Sequence, residues 1–292
     1  MQRIESNFAS HGIKCSGLLL LPGGIARPPI VIMAHGFGAE KSFRLQPFAE
    51  KFVENGLAVF LFDYRNFGES EGEPRNLISP SRHLQDWQKA LEHIRSLNEI
   101  DRSKIILWGT SFSGGHALVT AAEDPDVFCV TVQMPFVDGM ASAGNFDRGI
   151  WLKSLGHALV DVPSWLLGTR PHYVNIVGEN GRFGVLNTPD AEIGYLPLIQ
   201  PDTKWLNRCP ARIFFTLLLY RPVNQVSRIG RPVLIIYAEH DSLIPAAAVE
   251  ATARRIKDVT LIKMPIGHFD AYQGEPLDRI AEAEIAFIRK LL

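Results

Sequence analysis

Three residue types that together can activate an alcohol for attack on a carbonyl occur in this chain as Ser111, Asp241 and His268. A serine hydroxyl is a poor nucleophile until a neighbouring imidazole takes its proton, and a histidine with a pKa of about 6.5 is neutral enough at pH 7 to do so. A carboxylate beside the ring would fix its tautomer and stabilise the imidazolium. We therefore interpret Ser111 as the candidate nucleophile, His268 as its base and Asp241 as the orienting acid.

The sequence around Ser111 is typical of a tight turn between a strand and a helix. A buried strand is predicted to end at Trp108, and a helix rich in small residues follows. The positions two before and two after such a serine must be small, and here they are Gly109 and Ser113. The usual motif is G-x-S-x-G, so Ser113 departs from it. Because a helix starts here, we expect the amide of Phe112 to be an oxyanion donor.

A second oxyanion donor is expected from the loop after an earlier strand. His35-Gly36-Phe37-Gly38 directly follows the apolar run 30–34, and we assign this role to the amide of Phe37. The later segment 63–70 contains Gly, Ser and Arg65. We interpret it as a loop that braces the oxyanion segment through hydrogen bonds rather than as part of the catalytic group.

Several short runs are apolar without alternation, which is typical of strands covered on both faces. They are Ile30–Met33, Leu57–Phe62, Ile105–Trp108, Val127–Val132, Val233–Tyr237 and Val259–Ile262. Segments with helical spacing lie between them, which predicts an α/β fold with a mostly parallel central sheet flanked by helices. The run 13–21 is expected to add an antiparallel edge. Ser111, Asp241 and His268 each follow one of the strands, and carboxyl ends of parallel strands share one edge.

One stretch, residues 138–226, lacks the alternation of strands and helices. A structureless loop of that length is improbable, so we predict an inserted, mainly helical cap on a body formed by residues 1–137 and 227–292. Its aromatic and apolar residues could line a pocket for an apolar acyl group, or could equally hold the cap onto the body. These residues are Trp151, Trp165, Leu166, Phe183 and Trp205.

Other carboxylates compete with Asp241 for the role of the acid. Asp138 follows the run 127–132, and some arrangements of this kind take the acid from that strand. Asp270 lies two residues after His268, which favours a supporting role in the loop. Glu239 is expected to face away from the site.

Composition excludes several classes of function. The 292 residues carry 30 Lys+Arg and 31 Asp+Glu with no basic run, so a nucleic-acid partner is not expected. The apolar run 18–21 is too short for a signal sequence or a membrane span, so no membrane partner is expected. Three widely spaced cysteines suggest no disulfide framework and fit a cytoplasmic protein. The histidines show no metal-ligand spacing, and we expect no metal or other cofactor. A homo-oligomer stays open.

Five motifs in order resemble the α/β-hydrolase superfamily: H-G-F-G, D-Y-R-N-F-G-E-S, G-T-S-F-S-G-G, E-H-D-S-L-I-P and G-H-F-D. Within it, the chain is similar to dienelactone-hydrolase-like proteins and to the fungal polyketide-transferase group, through the segments 177–181 and 220–222. The resemblance implies ester, thioester or acyl-transfer chemistry without a metal or organic cofactor.

The leading functional hypothesis is cleavage of a carboxylic ester or thioester through an acyl-enzyme on Ser111, with a small apolar acyl compound as the substrate. Epoxide hydrolases and haloalkane dehalogenases of this fold would have Asp at this position, so Ser111 argues against both. Two alternatives remain: an acyltransferase that uses the same triad, and a ligand-binding protein that keeps the fold without catalysis.

Overall fold

The structure is a computed structural model and describes residues 1–144 and 148–292. Its centre is an eight-stranded sheet. With strands numbered along the chain, its members are β1 (Gln2–Glu5), β4 (Gly17–Leu21), β5 (Ile30–Ala34), β6 (Ala58–Phe62), β7 (Ile105–Thr110), β8 (Cys129–Gln133), β12 (Val233–Ala238) and β13 (Val259–Met264). Their spatial order is β1-β4-β6-β5-β7-β8-β12-β13. The predicted mostly parallel sheet is confirmed, because the six neighbouring strands β6, β5, β7, β8, β12 and β13 pair in parallel.

The amino-terminal region departs from the predicted single edge strand. The run divides at Ser16 into two strands with different partners. Strand β3 (Ile13–Cys15) pairs antiparallel with β2 (Phe8–Ser10) in a separate hairpin, whereas β4 pairs antiparallel with both β1 and β6. The hydrophobic pattern does not predict this break at Ser16, because apolar residues occur both before it, at Cys15, and after it, from Leu18.

Helices cover both faces of the sheet. They are α1 (Gln46–Glu54), α2 (Pro80–Ser96), α3 (Phe112–Glu123), α8 (Ala246–Ala253) and α9 (Gly274–Leu291). Helix α1 buries Phe48, Ala49, Phe52 and Val53 on one face, as its spacing predicts. It ends where Gly56 adopts φ +83°, a conformation that glycine tolerates without steric cost. The fully buried strands and these helix faces form one continuous core.

Residues 138–226 contain both helices and strands. The helices are α4 (Gly139–Ala143), α5 (Arg148–Leu167), α6 (Ala191–Tyr195) and α7 (Ile213–Leu219). The strands β9 (Tyr173–Val177), β10 (Gly184–Leu186) and β11 (Cys209–Pro210) form a small sheet in the order β10-β9-β11, which the sequence did not predict. Positions 145–147 of the predicted cap lie outside the described residues.

Two ion pairs connect distant parts of this segment. Asp161, which is fully buried, accepts hydrogen bonds from the guanidinium of Arg212 and joins α5 to the start of α7. Arg221 forms a two-bond pair with Asp138, with both distances 2.8 Å, and joins the end of the segment to its beginning. The beginning and the end of the segment therefore lie next to each other.

In the part of the chain that the structure describes, the helices are all too short or too polar to cross a bilayer. Within the same residues, no group of three or more His, Cys, Asp and Glu side chains is arranged to hold a metal ion. Cys15, Cys129 and Cys209 are buried and unpaired with one another.

Candidate active site

Ser111 occupies a strained turn between β7 and α3. Its backbone has φ +53° and ψ −120°, a conformation that costs a non-glycine residue about 1–3 kcal/mol and persists only where surrounding contacts enforce it. Its amide donates to the carbonyl of Gln133 (3.0 Å), and its carbonyl accepts from the amides of Gly114 (3.0 Å) and Phe136 (2.8 Å). A Cβ atom on Gly109 would come within 2.4 Å of the Ser113 carbonyl oxygen. The turn therefore requires glycine two residues before the serine.

Ser113, which replaces the second glycine of the usual motif, strengthens the turn. Its hydroxyl donates to the carbonyl of Ala34 (2.7 Å) and accepts from the amide of Thr110 (2.9 Å). The side chain thus ties the turn to the end of β5. A glycine at this position could make neither bond, so this departure from the motif has a structural benefit.

The structure brings Ser111, His268 and Asp241 into one chain of hydrogen bonds. The Ser111 Oγ lies 3.0 Å from Nε2 of His268, and Nδ1 of His268 lies 2.7 Å from Oδ2 of Asp241. Both partners are almost fully buried, with side-chain exposures of 2% and 3%. The other oxygen of Asp241 accepts from the amides of Leu243 (2.9 Å) and Ile244 (2.8 Å), which fixes the carboxylate.

This arrangement determines which ring nitrogen is available to the serine. A carboxylate is an acceptor only, so Asp241 favours the tautomer of His268 with the proton on Nδ1. The lone pair of Nε2 then faces the Ser111 hydroxyl. Asp241 follows β12 and His268 follows β13, so adjacent parallel strands place them side by side.

Phe37 and Phe112, whose amides are the expected oxyanion donors, both lie close to Ser111 and line the same cavity. Phe112 is the first residue of α3, so its amide has no acceptor within the helix. The loop that carries Phe37 passes close to the nucleophile, because a Cβ atom on Gly36 would lie 3.3 Å from the Ser111 Cβ. The rings of Phe37 and Phe112 meet edge to face, with their centroids 5.3 Å apart.

The loop that carries Phe37 is held from two sides, and the sequence analysis did not identify one set of these contacts. Tyr195 donates its hydroxyl to the carbonyl of Phe37 (2.9 Å), and the indole of Trp205 donates to the carbonyl of Gly38 (2.7 Å). No local motif marks Tyr195, since its partner lies 158 positions away. Trp205 therefore anchors this loop.

Asp63 holds the same loop from the other side. Its carboxylate accepts from the amide of Lys41 (2.7 Å), from the ammonium of Lys41 (2.8 Å) and from the amide of Glu69 (3.1 Å). Arg65 is bound to the buried carboxylate of Asp86. These contacts are the kind of bracing that the Gly and Ser content of the segment suggested.

A cavity opens beside Ser111 and is lined almost entirely by apolar side chains. Trp151 lies on its wall, together with Phe37 and Phe112. The four other predicted pocket residues lie elsewhere among the described residues. Trp165 is 54% exposed, and the guanidinium of Arg212 lies over its ring. Phe183 stacks on His157, one layer behind the cavity.

Trp205 donates its indole N–H to the carbonyl of Gly38, and Leu166 is 76% exposed, so neither side chain lines this cavity. Helical periodicity and aromatic content could place these side chains in the segment but could not say which way they point. For Phe183 and Trp205, the direction of the side chain depends on the irregular path of the chain between α5 and α7.

The other carboxylates have partners of their own. Asp138 caps α4 by accepting from the amide of Met140 (3.0 Å) and pairs with Arg221. Asp270 accepts from the amide of Gly267 (2.8 Å), and Glu239 pairs with Lys263. In the part of the chain that the structure describes, none of these three carboxylates forms a hydrogen bond with His268. The carboxylate that does is Asp241.

A buried cluster of His116, Tyr220 and His83, which the sequence analysis did not identify, packs against α3. Nδ1 of His116 lies 2.6 Å from the Tyr220 hydroxyl, and its Nε2 lies 3.3 Å from Nδ1 of His83. Burial lowers the pKa of His116 to about 3, so the ring is neutral at pH 7. The ring of Phe112 packs against His116 with a centroid distance of 4.7 Å. This group links the first turn of α3 to the end of residues 138–226.

The chain belongs to a known family, because residues 27–267 match the family described as Serine aminopeptidase, S33. Its fold is that of the α/β hydrolases, which confirms the resemblance seen in the sequence. It is 37% identical to the quorum-quenching protein AidA of Acinetobacter baumannii over 289 residues, 99% of this chain and 95% of the relative. It is 29% identical to polyketide transferase af380 of Aspergillus fumigatus over 95% of this chain and 96% of the relative.

A solved structure supports the fold. The α/β hydrolase GrgF from Penicillium sp. sh18 superposes on this chain with a TM-score of 0.83 at 24% identity and covers 99% of both chains.

Proposed function

We propose that this protein is a serine hydrolase that cleaves a carboxylic ester or thioester through an acyl-enzyme on Ser111. The observation that carries the proposal is the unbroken series of hydrogen bonds from Asp241 through His268 to Ser111. In this series each group has the type and the position that nucleophilic catalysis requires.

The proposed reaction proceeds in two halves. Ser111 Oγ attacks the carbonyl carbon while its proton passes to Nε2 of His268, and Asp241 stabilises the imidazolium. The negative charge that develops on the carbonyl oxygen is accepted by the amides of Phe37 and Phe112 as the oxyanion hole. The alcohol or thiol departs with the proton from His268, and water then cleaves the acyl-enzyme by the same steps in reverse order.

We also propose that residues 138–226 act as a cap over a body formed by residues 1–137 and 227–292. In support, α4, α5 and α7 contribute side chains to the cavity beside Ser111. The pair of Asp138 and Arg221 closes the segment at its base. The cavity is apolar, which fits a small-molecule acyl substrate with an apolar portion. Three free cysteines fit the reducing cytoplasm, which we keep as the proposed location.

Acyl transfer is the second candidate, because one relative is named a polyketide transferase and another, at 25% identity over 75% of this chain, is named an acyltransferase. Both reactions share the acyl-enzyme and differ in whether water or an alcohol or amine captures it. Product analysis with an added alcohol separates them: a new ester signals transfer, and the free acid alone signals hydrolysis.

Labelling by a fluorophosphonate probe tests the proposed function. The wild-type protein is expected to react covalently at Ser111, and the Ser111→Ala variant is expected to show no label. Ser103→Ala, which removes an exposed serine from a surface turn, is the matched control and should label like the wild type. A folded wild-type protein that does not react would favour the alternative of a ligand-binding protein without catalysis.

A further inference from the structure

Ser111 lies between two separate chambers. The larger extends under α4, α5 and α7 and includes Trp151 and Leu218 in its wall. The smaller adjoins Ser111 and His268 and includes Leu198 and Tyr272 in its wall. The two chambers share Ser111 and a few neighbours, so a substrate bound at the nucleophile has space on both sides of its carbonyl carbon.

The walls of both chambers lack charge. No Lys, Arg, Asp or Glu side chain lines either chamber within residues 1–144 and 148–292. Taking an ionised group out of water without a partner costs many kcal/mol, so a charged group on either side of the carbonyl would bind poorly. The chambers therefore favour substrates that are neutral and apolar at both ends.

The position of His268 distinguishes the two chambers. The ring forms part of the wall of the smaller chamber and does not line the larger one among the described residues. The base that takes the Ser111 proton must return it to the departing oxygen or sulfur, which has to lie within hydrogen-bond reach of Nε2. The departing group is therefore on the side of the smaller chamber.

We propose, on the basis of the function inferred above, that the larger chamber holds the acyl group and the smaller one holds the alcohol or thiol portion. The substrate class is then a neutral ester or thioester with an apolar group on each side of the carbonyl, the larger group being the acyl side.

The assignment fixes where each atom goes. The bond from Ser111 Oγ to the carbonyl carbon forms, and the bond from that carbon to the leaving oxygen or sulfur breaks. The leaving atom takes from His268 Nε2 the proton that came from Ser111, and the neutral alcohol or thiol departs through the smaller chamber. Water enters by that chamber, gives a proton to His268 and its oxygen to the acyl carbon, and Ser111 regains its proton as the acid leaves.

Two series of neutral esters separate the chambers. The first series holds the alcohol as methanol and lengthens the acyl group from acetyl to decanoyl. The second holds the acyl group as acetyl and lengthens the alcohol from methyl to hexyl. In each series kcat/KM is measured for the long and the short substrate, and the ratio of the two values reports the selectivity on that side of the carbonyl.

One position in each chamber provides a matched pair of variants. Leu218→Phe and Leu218→Ala narrow and widen the larger chamber, and Leu198→Phe and Leu198→Ala do the same in the smaller one. A methylene more or less in an apolar pocket changes discrimination by about 10-fold or more. We expect Leu218 variants to shift the acyl ratio about 10-fold, downward for Phe and upward for Ala, and Leu198 variants to shift the alcohol ratio equally.

The control lies on the opposite face of the cap. Leu152 is 73% exposed on α5, so Leu152→Ala should leave both ratios within about twofold of the wild type. The widening variants keep the test valid if a narrowing variant fails to fold. Circular dichroism confirms folding before kinetics are compared.

The outcomes separate this inference from the proposed function. Shifts confined to the chamber that was changed support the assignment. If Leu198 variants alter the acyl ratio, if both ratios move together, or if a succinate half-ester reacts as fast as the neutral butyrate ester, the assignment is overturned while hydrolysis stands. A wild-type protein that neither labels with a fluorophosphonate nor cleaves any ester overturns both.

Discussion

The carboxyl edge of the central sheet and residues 138–226 hold their side chains in different ways. At the sheet edge, backbone hydrogen bonds fix the groups: the Asp241 carboxylate accepts from two amides, and three backbone bonds hold Ser111. In residues 138–226, ion pairs and ring contacts hold the segment, and apolar side chains such as Leu166 remain 76% exposed. Backbone contacts of regular elements keep the reactive geometry in the first region, whereas side chains of the second line the cavity beside Ser111.

Loss of the nucleophile is the largest effect that this comparison predicts. Ser111→Ala should lower kcat for ester cleavage by about 10⁶-fold, since members of such a triad act as a unit. Steady-state hydrolysis by the folded variant measures it. Activity within tenfold of the wild type would mean that the sheet edge does not carry the chemistry.

Removal of the charge from the orienting acid is the next largest effect. Asp241→Asn should keep the geometry but favour the wrong tautomer of His268, and kcat should fall by about 10⁴-fold. Asp138→Asn is the matched control, because Asp138 pairs with Arg221 and does not contact the ring. Equal losses in the two variants would remove the distinction between the sheet edge and the segment beside it.

A buried carboxyl group behind the edge should make stability depend on pH. Burial raises the pKa of Glu284 from 4.5 to about 8, and its carboxyl group accepts from the indole of Trp108 on β7 (2.9 Å). Because the folded protein keeps the proton that the unfolded chain releases, this contribution to stability is fully present below pH 4.5 and is lost as the pH rises to 8.

Glu284→Gln should therefore flatten the dependence. Across that window the unfolding equilibrium constant of the wild type should rise by up to about tenfold per pH unit from this group, and the variant should lack that rise. Urea unfolding at several pH values between 5 and 8 compares the two slopes. Parallel curves would show that Glu284 is ionised in the folded state.

A smaller effect is expected where residues 138–226 contact the loop beside the sheet edge. Tyr195→Phe removes the hydrogen bond to the carbonyl of Phe37, which is worth about 1 kcal/mol, so kcat should fall by about fivefold to tenfold. KM should change less than kcat, because the loop that shifts carries Phe37, the proposed oxyanion donor. A rise in KM alone would instead place Tyr195 among the groups that bind substrate.

The smallest effect on kcat/KM is expected from a change on the outer surface of residues 138–226. Trp165 is 54% exposed and contacts Arg212 from outside the cavity. Trp165→Ala should change kcat/KM by less than about twofold for both long and short acyl esters. A loss confined to long acyl esters would bring this side chain into the substrate path.

The predictability of the two regions follows the same division. Continuous apolar runs located the parallel strands, and their ends located Ser111, Asp241 and His268, because a regular strand fixes where the next residue lies. Tyr195 contacts Phe37, and His116 contacts Tyr220. Each contact joins parts of the chain more than a hundred positions apart, so no local pattern could reveal either one.

Trp165 and Trp205 show why composition alone misplaced the pocket wall. Both are aromatic and lie in the segment expected to cover the site, but one is packed under a guanidinium and the other donates to a loop carbonyl. Which side of an irregular segment faces a cavity depends on long-range packing, including the small sheet of β9, β10 and β11. A short strand of mixed polarity such as β9 carries little signal in the sequence.

Direct detection of the acyl-enzyme is the sharpest test of catalysis at Ser111. The protein is mixed with a slowly deacylated ester, quenched in acid within the first turnover, and digested for mass spectrometry. A mass increase equal to the acyl group is expected on the peptide that contains Ser111, and no increase is expected in Ser111→Ala. Steady turnover with that peptide unmodified, or an adduct on another side chain, would contradict catalysis at Ser111.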